Sequence, residues 1–172
     1  MPTVIDYANG FAVGDYVYVT EENKYYQISK KDNIRLPYTY STAVSAGTTT
    51  SDIAITQLNP KSDELYQVYN IVPQHNAQVY VKQPASTLRW GTNSQSSTSF
   101  VSDRLNTYDG GEVYNIFMRK EEYPSIQIKN NTLISLATTT IFFLGWKYKM
   151  KELGCNARPP VNYTTIQMGG FD

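Results

Sequence analysis

The chain has 172 residues, 41% of them apolar, which suits one domain with a real core. Lys and Arg number 15, as do Asp and Glu, so the net charge is zero; that argues against nucleic acid as a main partner and permits close association between copies. A single cysteine, Cys155, excludes an intrachain disulfide, and a single histidine, His75, excludes the usual Cys/His zinc sites.

Residues 1–14 read as an extended lead-in ending at Gly14, with no basic leader and no long apolar run, so no signal peptide is expected. Asp15 to Thr20 alternates Tyr with Val and predicts a strand; Glu21-Glu22-Asn23 is a turn, and Lys24 to Ser29 is the return strand of a hairpin. Lys30 to Ser51 holds Pro37, Gly47 and many Ser and Thr, and reads as a long loop over the sheet. Ser51 to Leu58 fits either a short strand or a helical turn.

Leu65 to Val72 and Ala77 to Gln83 predict two strands joined as a hairpin through Pro73-Gln74-His75-Asn76, with Pro84 ending the second. The polar stretch 85–111 reads as loop, with Trp90 inside it. Ser99 to Asn106 spaces Phe100, Val101 and Leu105 as one short helix. Glu112 to Arg119 puts Tyr114, Ile116 and Met118 on one face of a strand, and Ser125 to Lys129 puts Ile126 and Ile128 inward.

Thr138 to Lys151 is the predicted central strand. Phe142, Leu144, Trp146, Tyr148 and Met150 form an apolar row of period two, while the odd positions pass from Ile141 and Phe143 through Gly145 to Lys147, Lys149 and Lys151. Such a strand is covered on both faces in its first half and on one face in its second. The fold class that follows is all-β, an antiparallel β-sandwich of about seven to eight strands over residues 1–153.

From Gly154 the pattern ends. Pro159-Pro160 favours extended chain, and residues 154–172 read as a C-terminal arm whose Val161, Tyr163, Ile166, Met168 and Phe171 need cover. The arm either docks on a neighbouring subunit or straps its own domain; the first reading makes these five residues interface residues.

No reaction chemistry stands out. His75 and Cys155 lack any nucleophile signature, and no Asp/Asn-rich calcium loop or phosphate-cradling Gly loop is present, although a looser oxygen-ligand site near Asp103 and Asp109 is compatible with the sequence. Glu21-Glu22 and Glu121-Glu122 read as solvated turn carboxylates. Asn130-Asn131-Thr132 and Asn162-Tyr163-Thr164 match the glycosylation sequon by chance. No catalytic, cofactor or metal site is expected. Trp90, in LRWGTN, is the one ligand-stacking candidate, and with nearby tyrosines it supports an alternative reading as a glycan-binding or host-recognition module.

Tyr123-Pro124-Ser125-Ile126-Gln127-Ile128, then Asn130-Asn131-Thr132, then Ile141 to Tyr148 (IFFLGWKY) resembles a pattern in small virion proteins of tailed bacteriophages, with Asn-Asn where that pattern has Asn-Pro. The resemblance covers about thirty residues within the C-terminal third. It implies a non-enzymatic β-domain of a virion, a capsid decoration or cement protein or a neck or tail component. Its partners would be other virion proteins and copies of itself, with no nucleic acid and no membrane.

Overall fold

Strand follows strand through the whole described chain, and no helix interrupts them. A computed structural model describes residues 9–73, 77–82, 90–91, 103–104, 106–107, 116–120, 122–154 and 158–166, with only backbone described for the residues from 90 to 107. The strands are β1 (Tyr16–Val19), β2 (Lys24–Tyr40), β3 (Ile53–Ala54), β4 (Glu64–Pro73), β5 (Ala77–Lys82), β6 (Trp90–Gly91), β7 (Asp103–Arg104), β8 (Asn106–Thr107), β9 (Ile116–Arg119), β10 (Ser125–Asn130), β11 (Thr139–Glu152) and β12 (Thr164–Ile166). They form two sheets. One runs β12-β1-β2-β11-β4-β7, with β9 also on β4; the other runs β3-β10-β5-β6-β8. Every pairing is antiparallel except β1 with β12. The all-β sandwich expected from the periodicities is the fold.

β11 lies at the centre of the larger sheet, as its apolar pattern predicts, flanked by β2 and β4 along most of its length. The pattern of cover differs from the expected unbroken even row. Ile141 and Phe143, at odd positions, enter the core between the sheets; Tyr148 and Met150, at even positions, enter a second core on the opposite face. Phe142 and Leu144 are half-buried. The buried face switches because the second sheet covers one face of one half of the long ribbon. The other half is covered on its reverse face by Phe11, with the β1 and β12 residues Val17, Val19 and Ile166 completing that core.

Two bulges accompany the switch. Ser29 is the extra residue of β2, since Lys149 pairs with Lys30 and Met150 with Ile28. Tyr69 is the extra residue of β4, since Leu144 pairs with Asn70 and Gly145 with Val68. At the second bulge the backbones press together: a Cβ on Gly145 would stand 1.9 Å from the Gln67 carbonyl oxygen. Glycine is required there by contact, not by conformation.

Four further expectations change. Residues 30–40 are not loop but the outer half of β2, with Ile34, Leu36, Tyr38 and Tyr40 half-buried at period two. Pro37 is tolerated because β1 pairs only with Lys24 to Gln27, leaving this half as an edge among the described residues. β4 and β5 do not form a hairpin. β4 already has β11 on one side and β7 and β9 on the other, so β5 crosses to the second sheet and pairs with β10. The helix expected over 99–106 is replaced, where described, by β7 and β8, and Trp90 lies in β6 rather than in a loop. Ser51 to Leu58 contains both alternatives, β3 and then a turn.

Candidate functional site

The loop after β10 begins from a buried asparagine. Asn130 is 0% exposed, and its Nδ2 donates to the carbonyls of Val44 (2.9 Å) and Ile134 (2.8 Å). Its Oδ1 accepts from the Thr132 backbone N–H at 2.9 Å and lies 2.6 Å from the Thr132 hydroxyl. Beyond the tip, Val44 and Leu136 exchange both backbone hydrogen bonds, at 2.9 and 3.0 Å. Asn130 and Thr132 thus hold the loop from inside, by the Thr132 N–H and the Ile134 carbonyl. What it displays is apolar: Leu133 is 97% exposed and Ile134 71%. No charged residue occurs from Asn130 to Thr140. The same hydrogen bonds give the physical reason why the first sequon is a chance match, since the Asn130 amide is sealed inside the protein.

Val13 and Val161 are also exposed, at 60% and 83%. Beside Val13, the Gly14 N–H donates to the Ile28 carbonyl at 2.8 Å, which ties this part of the chain to β2.

The predicted arm is thus divided. Ile166 is corrected from interface to core: it is 2% exposed, packed among Phe11, Val17 and Val19, because β12 adds to the edge of β1. Tyr163 packs edge-on against Tyr25, with ring centres 5.1 Å apart, and stands 6.3 Å from Tyr18. Val161, by contrast, faces solvent. Met168 and Phe171 lie outside the described residues, as do His75, Cys155 and Asp109.

Next to the Tyr18, Tyr25 and Tyr163 rings is an open cleft of ≈ 380 Å³ lined by Lys24, Tyr25, Glu152, Leu153, Arg158 and Pro159, among others. Lys24 and Glu152 form an ion pair along it at 3.2 Å.

Polar chemistry in the interior serves the frame. Arg119 is 3% exposed at the end of β9. Its Nε and Nη2 reach the Glu22 carboxylate at 3.0 and 3.2 Å, Nη1 reaches the carbonyls of Ser62 and Glu64 at 2.9 and 2.6 Å, and Nη2 reaches the Tyr26 hydroxyl at 3.3 Å. All five donors are used. Burial alone would raise the Glu22 pKa, but the hydrogen bonds from Arg119, Lys120 and Tyr26 outweigh it and bring it to about 2. Burial, followed by the hydrogen bond to Glu22, pushes the Tyr26 hydroxyl up to about 12. Glu22 is therefore no solvated turn carboxylate, and nothing in a lone acidic pair announced a distant arginine. Lys147 is held protonated chiefly by its hydrogen bond to Glu64, 3.1 Å away. Deeper in the second core, Tyr148 Oη accepts from the Phe11 N–H at 2.8 Å and donates to Gln67 Oε1 at 2.7 Å. Gly10, at φ +66°, lets the chain approach this hydroxyl, where a Cβ would stand 2.0 Å away. Burial pushes the Tyr148 hydroxyl up, so it stays a donor. Among the described residues no group of three or more His, Cys, Asp or Glu side chains gathers as a metal site.

No family model matches this chain, and no curated protein matches it. A solved structure from Bacillus endospore appendages, which form a novel family of disulfide-linked pili, aligns over 82% of this chain and 96% of its own, with 12% identity and a TM-score of 0.29. A superposition that loose transfers neither fold nor function.

Proposed function

We propose that this chain is a non-enzymatic structural subunit that works by adhesion, to copies of itself and to other proteins of a particle. The observation that carries this reading is the pinned tip. Leu133 is almost wholly in water and Ile134 largely so, yet a buried asparagine ties down the backbone beneath them. Covering an aliphatic side chain of this size is worth about 1.5–3 kcal/mol, and a preformed loop loses little freedom when it is covered. Repetition around a symmetric assembly multiplies such a contact.

The particle in this proposal is a phage or phage-like virion, with the chain as capsid decoration or cement; the resemblance of residues 123–148 supports that assignment. Mass photometry of the full chain from nanomolar to micromolar concentration tests the adhesive reading. Growth of species above the monomer, lost in Leu133→Asp with Ile134→Asp, is expected; a monomer throughout, with no binding to intact particles, overturns it. Copurification with virions tests the phage assignment separately.

A second reading, glycan recognition, draws on the Tyr18, Tyr25 and Tyr163 cluster beside the open cleft, where aromatic edges adjoin Lys24 and Arg158. Selective binding on a glycan array, abolished by Tyr25→Ala or Trp90→Ala, would favour it.

A further inference from the structure

Alternation along β1 and β2 sends Val17, Val19, Tyr26 and Ile28 into the second core, and so turns Tyr18 and Tyr25 to the opposite face. The two are direct partners in the ladder, with ring centres 4.8 Å apart. Tyr163, one residue before β12, closes on both, at 5.1 Å from Tyr25 and 6.3 Å from Tyr18. None of the three belongs to the core between the sheets, and all three are half-buried. Rings packed against one another hold their positions, so this aromatic face is formed before any ligand arrives.

The ≈ 380 Å³ cleft opens beside Tyr25 and falls within the size of small-molecule sites, about 300–1,000 Å³. Its walls are tied down. The Leu153 N–H donates to the Tyr25 carbonyl at 3.0 Å, and Asn23, at φ 53°, has its side-chain oxygen taken by the Tyr18 hydroxyl. Lys24, Glu152 and Arg158 line the cleft, and among the described residues no other charged side chain does. Lys24 and Glu152 neutralise each other at 3.2 Å. Glu22, next to Asn23 in the chain, is already held by Arg119 and Lys120. Arg158 is exposed and joins no ion pair among the described residues. The cleft therefore carries one uncommitted positive charge, and it is a planar guanidinium fork, the shape that matches a carboxylate.

We infer that this cleft binds an acidic sugar, a hexuronate whose carboxylate pairs with Arg158 and whose ring packs against Tyr25. The inference rests on the glycan reading above and names its ligand class. Three properties of the lining select this ligand. A single free cation suits a single carboxylate, whereas a phosphate backbone asks for a row of them. With its oxygen occupied, Asn23 offers its amide N–H groups, and Glu152 offers an acceptor; sugar hydroxyls serve as both acceptor and donor. Tyr25, Leu153 and Pro159 supply apolar surface for the C–H groups of the ring, and Tyr18 and Tyr163 continue that surface beyond Tyr25 toward the next sugar of an oligomer.

Calorimetric titration of the full chain with oligoglucuronate, against the glucose oligomer of the same length and linkage, tests this. The acidic oligomer should bind about 10-fold or more tightly than the neutral one. Arg158→Ala, at an exposed position, should remove about that factor while the circular-dichroism melt stays that of the unaltered chain. Glu152→Gln should do the reverse and tighten binding about 2- to 5-fold, because it releases Lys24 and removes a like charge. A merely structural role for these side chains would produce no gain. If both oligomers bind alike and Arg158→Ala changes nothing, the acidic class is overturned and the glycan reading survives. If an N-acetylated amino acid with a free carboxylate binds as tightly as oligoglucuronate, the cleft reads carboxylates without a sugar, and the sugar assignment is overturned. If neither oligomer binds at millimolar concentration, the glycan reading of the cleft falls and this inference with it.

Discussion

The two cores make an instructive pair. The one between the sheets is built almost wholly of aliphatic and aromatic carbon: Val68, Ile71, Val79, Val81, Ile126, Ile128, Ile141 and Phe143 have no polar atom to satisfy. The one behind the other half of the ribbon is smaller and is threaded by polar groups, with the Tyr148 hydroxyl inside it and the Arg119 clasp at its border. The first is closed by a second sheet. The second has no second sheet over it among the described residues, and uses Phe11 and Phe117, a three-residue strand and a set of directed hydrogen bonds instead. Where apolar area is scarce, directional bonds define which arrangement of chain is allowed.

That contrast can be broken from either side. In the carbon core, Phe143→Ala should cost about 3–5 kcal/mol in urea unfolding, because a packed sheet interface closes poorly over a lost ring. Arg119→Ala should match it at about 3–5 kcal/mol, since it leaves the Ser62 and Glu64 carbonyls without their donor and the Glu22 carboxylate with only Lys120 and Tyr26. A cost for Arg119→Ala below that of an ordinary surface change would show that the clasp decorates the second core and does not hold it. Tyr148→Phe should cost less, about 1–3 kcal/mol, by removing the hydroxyl between Phe11 and Gln67.

Acid should separate the halves again. In the folded state the Glu22 pKa, about 2, lies below the ordinary 4.5. The stability it contributes is therefore complete above about 4.5 and is lost as pH falls from there toward 2. The gap between the unaltered chain and Glu22→Gln should narrow between pH 5 and 3, whereas the cost of Phe143→Ala should stay constant; a gap independent of pH would mean that the carboxylate is not held by Arg119, Lys120 and Tyr26. The smallest effect belongs to the tip, where Leu133→Asp should leave stability within about 0.5 kcal/mol, as expected of a side chain 97% exposed.

Much of the carbon core was legible in the sequence. Ile126 with Ile128 and Ile116 with Met118 announce strands at period two and are buried as read, and the β11 pattern announces its strand and its central place, though not which row is buried. The switch of face along β11 was not legible, because Phe142 and Leu144 are as apolar as Ile141 and Phe143; which row turns inward depends on where a different sheet lies. β2 was missed beyond Ser29 because Pro37 and four charged residues interrupt it, and an edge tolerates both. The tip was hidden for the opposite reason. Leu133 and Ile134 look like core in a string of letters, and only the hydrogen bonds of Asn130 show that they are held outward.

The parallel pairing of β12 with β1 also fixes an order of events at the ribosome. Thr20 donates to the Ile166 carbonyl across a separation of 146 residues. At roughly 5–20 residues per second, the first hairpin waits on the order of ten seconds for its last neighbour to be synthesised. Through that interval Val17 and Val19 lack the cover that Ile166 provides, so nascent chains should be most prone to capture by chaperones until the closing strand emerges.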